Sequence, residues 1–330
     1  MKLSIVTTLY RSSATIEDFC RRALKSAQAI FSEVELVIVN DGSPDKSLEL
    51  ALGLHQHDSR IVVVDLSRNF GHYKAMMTGL SYATGELVFL IDSDLEERPE
   101  DLTLFYQRLM RGDSDVVYGV QQTRRGGVVE RVGGAVFFAL VDALGDRPLP
   151  RNLVTARLMT CDYVRALVRH RDREFVISDL WQITGFRQNE IVVEKLSTSP
   201  STYSVWKRVD LALKHLTTAS TRLLYLVFYT GLLIFMASIG IVGFFLLRYV
   251  TAGIGVSGFT SLIISIWFLG GLTTLILGIL GIYMASILSE TKRRPYTVVR
   301  RVHRASPAAI GRPEPLLMES ATSVSADVSR

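Results

Sequence analysis

The chain has 330 residues, 48% of them hydrophobic, and 37 Lys and Arg against 32 Asp and Glu give a formal net charge of +5. That length holds one large or two ordinary domains, and the apolar content is high for a soluble protein. Two cysteines, Cys20 and Cys161, without Cys-x-x-Cys or Cys/His spacing, exclude a disulfide framework and a zinc site and read as reduced packing residues.

Short apolar runs alternate with helical-period segments from the start. Leu3 to Thr8, Glu35 to Asn40, Ile61 to Leu66, Glu86 to Asp92 and Asp115 to Tyr118 predict strands. Ile16 to Phe31, Asp45 to His57, Tyr73 to Ala83 and Pro99 to Arg111 predict the helices between and after them. Pro99 suits a first helical turn, with Glu100 and Asp101 beside the positive end of the helix. This βαβα order implies an α/β fold with a parallel, doubly wound sheet. No Gly-x-Gly-x-x-Gly loop follows the first strand, which disfavours a dehydrogenase-type dinucleotide fold.

The apolar excess is concentrated late in the chain. No charge occurs from Leu223 to Leu247, nor from Tyr249 to Ser289, and each run exceeds the ~20 residues that cross a bilayer. Two transmembrane helices are expected, about 223–247 and 259–288, with Gly253, Gly255 and Gly258 in the turn. Before them, Lys207, Arg208, Lys214 and Arg222 interleave with Trp206, Val209 and Leu213, predicting an amphipathic surface helix over 205–222. Lys292, Arg293, Arg294, Arg300, Arg301 and Arg304 follow the second span, so both ends are expected on the cytoplasmic side. Anionic lipid accounts for the net charge, and nucleic acid is not required. The stretch before Arg11 is too short for a secretory signal, and the tail beyond Ser306 reads as disordered. The expected division is therefore 1–204, 205–222, 223–289 and 290–330.

Three strands end in polar residues on what the topology makes one rim of the sheet. They are Thr7-Thr8-Leu9-Tyr10, Asn40-Asp41-Gly42-Ser43 and Asp92-Ser93-Asp94. Two carboxylates one residue apart at the end of an apolar strand suit a hard cation that also receives a diphosphate. A nucleotide pocket follows, because a base needs hydrogen-bond partners and its diphosphate a counter-cation.

These segments, with Ser67-Arg68-Asn69-Phe70-Gly71-His72, resemble the family 2 glycosyltransferases of GT-A fold. The Arg-Asn-Phe-Gly element and the two apolar runs resemble the polyprenyl-phosphate branch of that family. The resemblance implies a nucleoside-diphosphate sugar donor, UDP-sugar favoured, a polyprenyl phosphate acceptor, Mg²⁺ or Mn²⁺, and a homo-oligomer as an option. It assigns Thr8, Tyr10, Asp41, Arg68 and Asp92 to the nucleotide, Asp92 and Asp94 to the metal, and Asp92, Asp94 and Arg157 to catalysis. Relatives commonly carry Asp-Phe-Arg where Thr155-Ala156-Arg157 stands, Gln at Glu96 and Lys at Thr202, departures that fall where sugar and acceptor would sit.

A lipid phosphate has a second pKa near ~6 and is a dianionic nucleophile at neutral pH, so no general base is required. A sugar-hydroxyl acceptor would require one, with Asp179 or Glu174 as the candidates. A non-catalytic membrane scaffold is the alternative outside enzymes. A processive synthase is disfavoured because Gln-x-x-Arg-Trp is missing.

Overall fold

A computed structural model describes residues 1–121, 153–170, 172, 173, 175, 177–194, 222–252, 258–292 and 294–305. Glu174, the 201–204 segment with Thr202, and residues 205–221 of the surface helix expected over 205–222 lie outside the described residues.

One eight-stranded sheet organises the chain: β1 (Lys2–Leu9), β2 (Glu33–Asn40), β3 (Ile61–Leu66), β4 (Leu87–Leu90), β5 (Val116–Val120), β6 (Leu153–Thr160), β7 (Gln188–Val192) and β8 (Val299–His303). Their spatial order is β7-β5-β6-β4-β1-β2-β3-β8. The centre is parallel, β4-β1-β2-β3, and β5 runs parallel to β7; β6 and β8 run antiparallel to their neighbours. The central strands are apolar on both faces because helices cover both.

Helices α1 (Ile16–Gln28), α2 (Ser47–His57) and α4 (Leu102–Leu109, entered through a 3₁₀ turn at Pro99–Asp101) cover one face, and α3 (His72–Tyr82), α5 (Cys161–Val168) and α6 (Ile177–Ile183) the other. In α1, Ile16, Phe19, Cys20, Ala23, Leu24 and Ala27 recur at helical spacing and are all buried. Burying a side chain such as Phe19 stabilises by about 1.5–3 kcal/mol. Burial, reinforced by Asp58 and Glu17, pushes the Cys20 thiol up to about 12, so it packs and does not react.

Two long helices follow, α7 (Arg222–Ala252) and α8 (Phe259–Thr291). Among the described residues, Leu269–Thr291 of α8 is long and apolar enough to cross a membrane, with a mean hydropathy of 2.0 over its window. The chain then returns to the sheet. Strand β8 pairs with β3, Val63 opposite His303 and Asp65 opposite Arg301. The basic segment after the second apolar run therefore supplies an edge strand of the domain formed by the N-terminal residues. Arg300 Nη1 stands 3.5 Å from Asp65 and Arg304 Nη2 3.7 Å from Glu35, so these two cations face the domain's own acids as well as solvent.

Candidate active site

The parallel register brings the carboxyl ends of β1, β2 and β4 to one rim. Leu9 pairs with Asn40, Val6 pairs with Leu90, and Ile91 N–H still donates to Val6 O at 3.1 Å. Beyond these pairs each strand leaves the sheet as a polar loop, the topology at which open α/β sheets bind ligands.

At the end of β2, Asp41 is buried, and its carboxylate accepts from Phe70 N–H at 2.7 Å and Gly71 N–H at 3.0 Å. Burial raises its pKa, opposed by those two amides and by His72 and Arg68, and the balance lies above the ordinary value. Gly42 follows at φ +59, and a Cβ there would stand 2.4 Å from Asn69 N and 2.5 Å from the Arg68 carbonyl carbon. Only glycine permits both the left-handed backbone and so close an approach of the β3–α3 loop. Asp45 then accepts from Ser47 Oγ at 2.6 Å and from Ser13 N–H at 3.1 Å, while Arg11 N–H donates to Ser43 Oγ at 2.7 Å. The β1–α1 and β2–α2 loops are thereby tied together.

His72, the first residue of α3, links the strand ends. Its Nδ1 lies 3.0 Å from Thr8 Oγ1 and its Nε2 3.3 Å from Asp92 Oδ1. Burial draws its pKa down, but the Asp92 contact and the charges of Asp92, Asp41 and Asp94 outweigh this and raise it overall. Of the three carboxylates of the rim, Asp92 is the one in contact with the imidazole, and Asp41 and Asp94 act on it through their charge.

At the end of β4, Ser93 Oγ donates to Thr8 O at 2.8 Å, and Thr155 Oγ1 of β6 donates to Asp92 Oδ2 at 2.7 Å. Asp94 is exposed, its Oδ1 accepting from Glu96 N–H at 2.9 Å. The two non-glycine residues with positive φ among the described residues, Arg11 at +58° and Leu95 at +61°, flank this rim. Left-handed backbone at such residues costs about 1–2 kcal/mol each, and strain of this kind gathers at functional loops.

Of the remaining candidates, Tyr10 is 48% exposed on the rim with the Arg11 guanidinium over its ring. Arg68 is exposed, donates to Asn69 O at 3.0 Å and lies 4.1 Å from the Phe70 ring centroid. Arg157 pairs with Leu90 at the end of β4, beside the rim, but its side chain is buried and not open to it. It is 1% exposed, donates to Thr155 O at 3.2 Å and lies over the Trp181 ring. Its position two residues before Met159 in β6 turns it onto the face covered by α5 and α6. Burial lowers its pKa, with Tyr163, Glu97 and Tyr118 opposing.

Asp92 and Asp94 are two carboxylates at an open rim. Among the described residues no three His, Cys, Asp or Glu side chains cluster into a closed metal cage. This donor set fits a cation such as Mg²⁺, which is held by one or two carboxylates and completes its shell with phosphate oxygens and water.

The family model for glycosyl transferase family 2 matches residues 4–168. A Mycobacterium tuberculosis protein named as a glycosyltransferase is 45% identical over 303 residues, covering 92% of this chain and 89% of its own length. The chain belongs to glycosyl transferase family 2. Within the family, the prophage bactoprenol glucosyl transferase homolog of Escherichia coli K12 is 28% identical over 92% of this chain and all of its own length. The bactoprenol glucosyl transferase of Shigella phage SfII is 28% identical over 93% of this chain and likewise matches along its whole length. Among solved structures, a mannosyltransferase from Pyrobaculum calidifontis in complex with GDP-Man and Mn²⁺ aligns over 88% of this chain and 86% of its own, with a TM-score of 0.45 at 15% identity.

The matched span contains Thr8, Tyr10, Asp41, Arg68, Asp92, Asp94 and Arg157. His72 and Thr155 are functional candidates that the motif reading passed over. His72 closes the Arg-Asn-Phe-Gly element at the start of a predicted helix, a position from which a side chain points back toward the strand ends. Thr155 departs from the pattern that the family resemblance implies, so it registers first as a departure. Its contact with Asp92 shows what the hydroxyl does there.

Proposed function

We propose that this glycosyl transferase family 2 protein moves a sugar from a nucleoside-diphosphate sugar, UDP-sugar favoured, to a polyprenyl phosphate at the cytoplasmic face of a membrane, inverting the anomeric configuration. The observation that carries this reading is the rim itself, where His72 joins Thr8 to Asp92 and Asp41 holds the Phe70 and Gly71 amides, in a chain whose apolar helices lead straight back into the same sheet. The end-to-end likeness to bactoprenol glucosyl transferases supports the acceptor.

The two-span reading draws support from β8. The pairing of β8 with β3 joins the chain after α8 to the sheet that precedes α7, as a two-helix hairpin with both ends on one side of the membrane requires. At 31 and 33 residues each is ~46–50 Å long, enough for a ~30 Å core. Large apolar side chains lie open along both, Leu233 at 69% and Val250 at 74% on α7, Leu277 and Met284 on α8.

Asp92 and Asp94 would hold Mg²⁺ or Mn²⁺, and the cation when bound neutralises charge on the departing nucleoside diphosphate. The chain's own groups set the rest. Thr155 and His72 fix the Asp92 carboxylate, one oxygen each, so it is oriented before the nucleotide arrives. Asp41 holds the Phe70 and Gly71 amides and with them the loop that carries Arg68. The acceptor phosphate, a dianion near neutral pH, attacks without help from a base.

The test is incubation of the full chain in mixed micelles with radiolabelled UDP-sugars and a polyprenyl phosphate, followed by solvent extraction. Label in an acid-labile lipid supports the reading and names the sugar. Label found only in water-soluble product, or none from any donor, refutes it.

A further inference from the structure

A cleft of ≈460 Å³ opens where the β3–α3 loop, the first turn of α3, the loop before α6 and the last turns of α8 meet. Five cations line it, Arg68, Lys74, Arg173, Lys292 and Arg294, and no carboxylate is among the described residues of its lining. Its volume falls within the ~300–1,000 Å³ of small-molecule sites. Glu290 of α8, beside the lining, accepts from Arg173 backbone N–H at 2.6 Å. Arg173 Nε is buried and has no hydrogen-bond partner among the described residues. A buried charged donor in that condition is costly unless an acceptor arrives.

Position narrows the ligand. Lys292 caps α8 directly after the Leu269–Thr291 stretch, and Leu288 adds an apolar wall one turn earlier. An anion seated here lies at the end of the apolar stretch of α8. The opposite wall is the loop of Arg68 and Phe70, and Asp41 holds that loop through the Phe70 amide. The cleft and the nucleotide rim are therefore two sides of one loop.

We infer that this cleft is the seat of the lipid acceptor's phosphate monoester, gripped by the five cations, with the start of the lipid chain lying along Leu288. The inference rests on the reading of the chain as a polyprenyl-phosphate glycosyltransferase and adds where the acceptor binds. Five like charges around one cleft create a positive field, which favours a dianionic monoester over the single charge of a bulk phosphodiester headgroup. The guanidinium forks of Arg173 and Arg294 suit paired phosphate oxygens.

The experiment measures KM for polyprenyl phosphate and for the nucleotide sugar in the full chain, in the exposed-site variants Lys292→Ala and Arg294→Ala, in the double variant, and in Lys292→Arg. UDP affinity is measured alongside to confirm a folded rim. Each alanine is expected to raise the lipid KM about tenfold, as the loss of a charge-assisted contact implies, with the nucleotide KM unchanged and Lys292→Arg close to wild type. Excess phosphatidylglycerol in the micelles should not compete. An unchanged lipid KM in the double variant, or competition by phosphatidylglycerol as strong as that of the monoester, overturns the seat while leaving the function standing. A wild-type chain that forms no lipid product overturns both.

Discussion

Thr155 donates its hydroxyl to Asp92 Oδ2 at 2.7 Å while the other Asp92 oxygen faces His72, so an antiparallel strand from late in the domain orients a carboxylate delivered by the parallel centre. The contact gives a task to a hydroxyl that departs from the pattern the family resemblance implies.

Replacing Thr155 by Val keeps the volume and removes that hydrogen bond. A hydrogen bond to a charged group contributes about 1.5–3 kcal/mol, so kcat/KM for sugar transfer should fall roughly 10- to 100-fold. The same bond is made in the free protein, so thermal stability should fall alongside. Transfer kinetics on Thr155→Val would check this, and wild-type rates would mean that Asp92 needs no such support.

Gly42→Ala should be severe. The added methyl would enter a space where Asn69 N and the Arg68 carbonyl carbon lie at 2.4 and 2.5 Å, on a left-handed backbone. Strain and displacement together should cost about 2–5 kcal/mol, and the Asp41–Phe70–Gly71 link should loosen with it. Thermal unfolding with UDP titration would show both losses. A variant as stable as wild type would contradict the close approach.

Glu35 gives the fold an acid-sensitive point. It is buried, and although burial raises its pKa, hydrogen bonds from Ser4 and from Thr84 backbone and side chain, with Lys2 nearby, bring the net value below the ordinary one. A depressed folded-state pKa means that the contribution is fully present above the unfolded value, near 4.5, and is lost as pH falls through the lower folded value. At pH 7 Glu35→Gln should be less stable by about 1–3 kcal/mol, and the difference should shrink below about pH 4. Melting curves of both proteins from pH 7 to pH 3 measure this; a gap that does not narrow would contradict the linkage.

Removal of the chain from residue 299 onward should expose the edge of β3, whose six residues are all buried. It also removes the Arg300–Asp65 and Arg304–Glu35 contacts. An uncovered apolar edge favours self-association, so the truncated protein should melt lower and aggregate in size-exclusion chromatography. Monodisperse behaviour equal to wild type would show that β8 is dispensable.

Much of this was legible in the residues. Ile61–Leu66 was read to the residue as β3, and the other central strands and α1 to α4 to within a few positions, because buried parallel strands and amphipathic helices write strong periodic patterns. Strand β8 was not, since Val299-Arg300-Arg301-Val302-His303 is an edge strand whose exposed arginines read as a charged segment beside a membrane. The direction of Arg157 follows from counting by twos from Met159, but its burial under Trp181 depends on α6, which is distant in sequence. Likewise no local pattern announces that Thr155 would meet Asp92 across 63 positions.

Most of the proposed function depends on Asp92 and Asp94 carrying a divalent cation onto which the nucleoside diphosphate binds. Calorimetric titration of UDP into the full chain with Mn²⁺, and again with EDTA, tests it most directly when run beside Asp94→Asn. The account predicts at least about tenfold tighter binding with Mn²⁺ in the wild type, and little gain in Asp94→Asn, because a carboxylate ligand is gone while the loop that holds the base side remains. Equal UDP affinity with and without metal in the wild type, or a full metal response in Asp94→Asn, would contradict it.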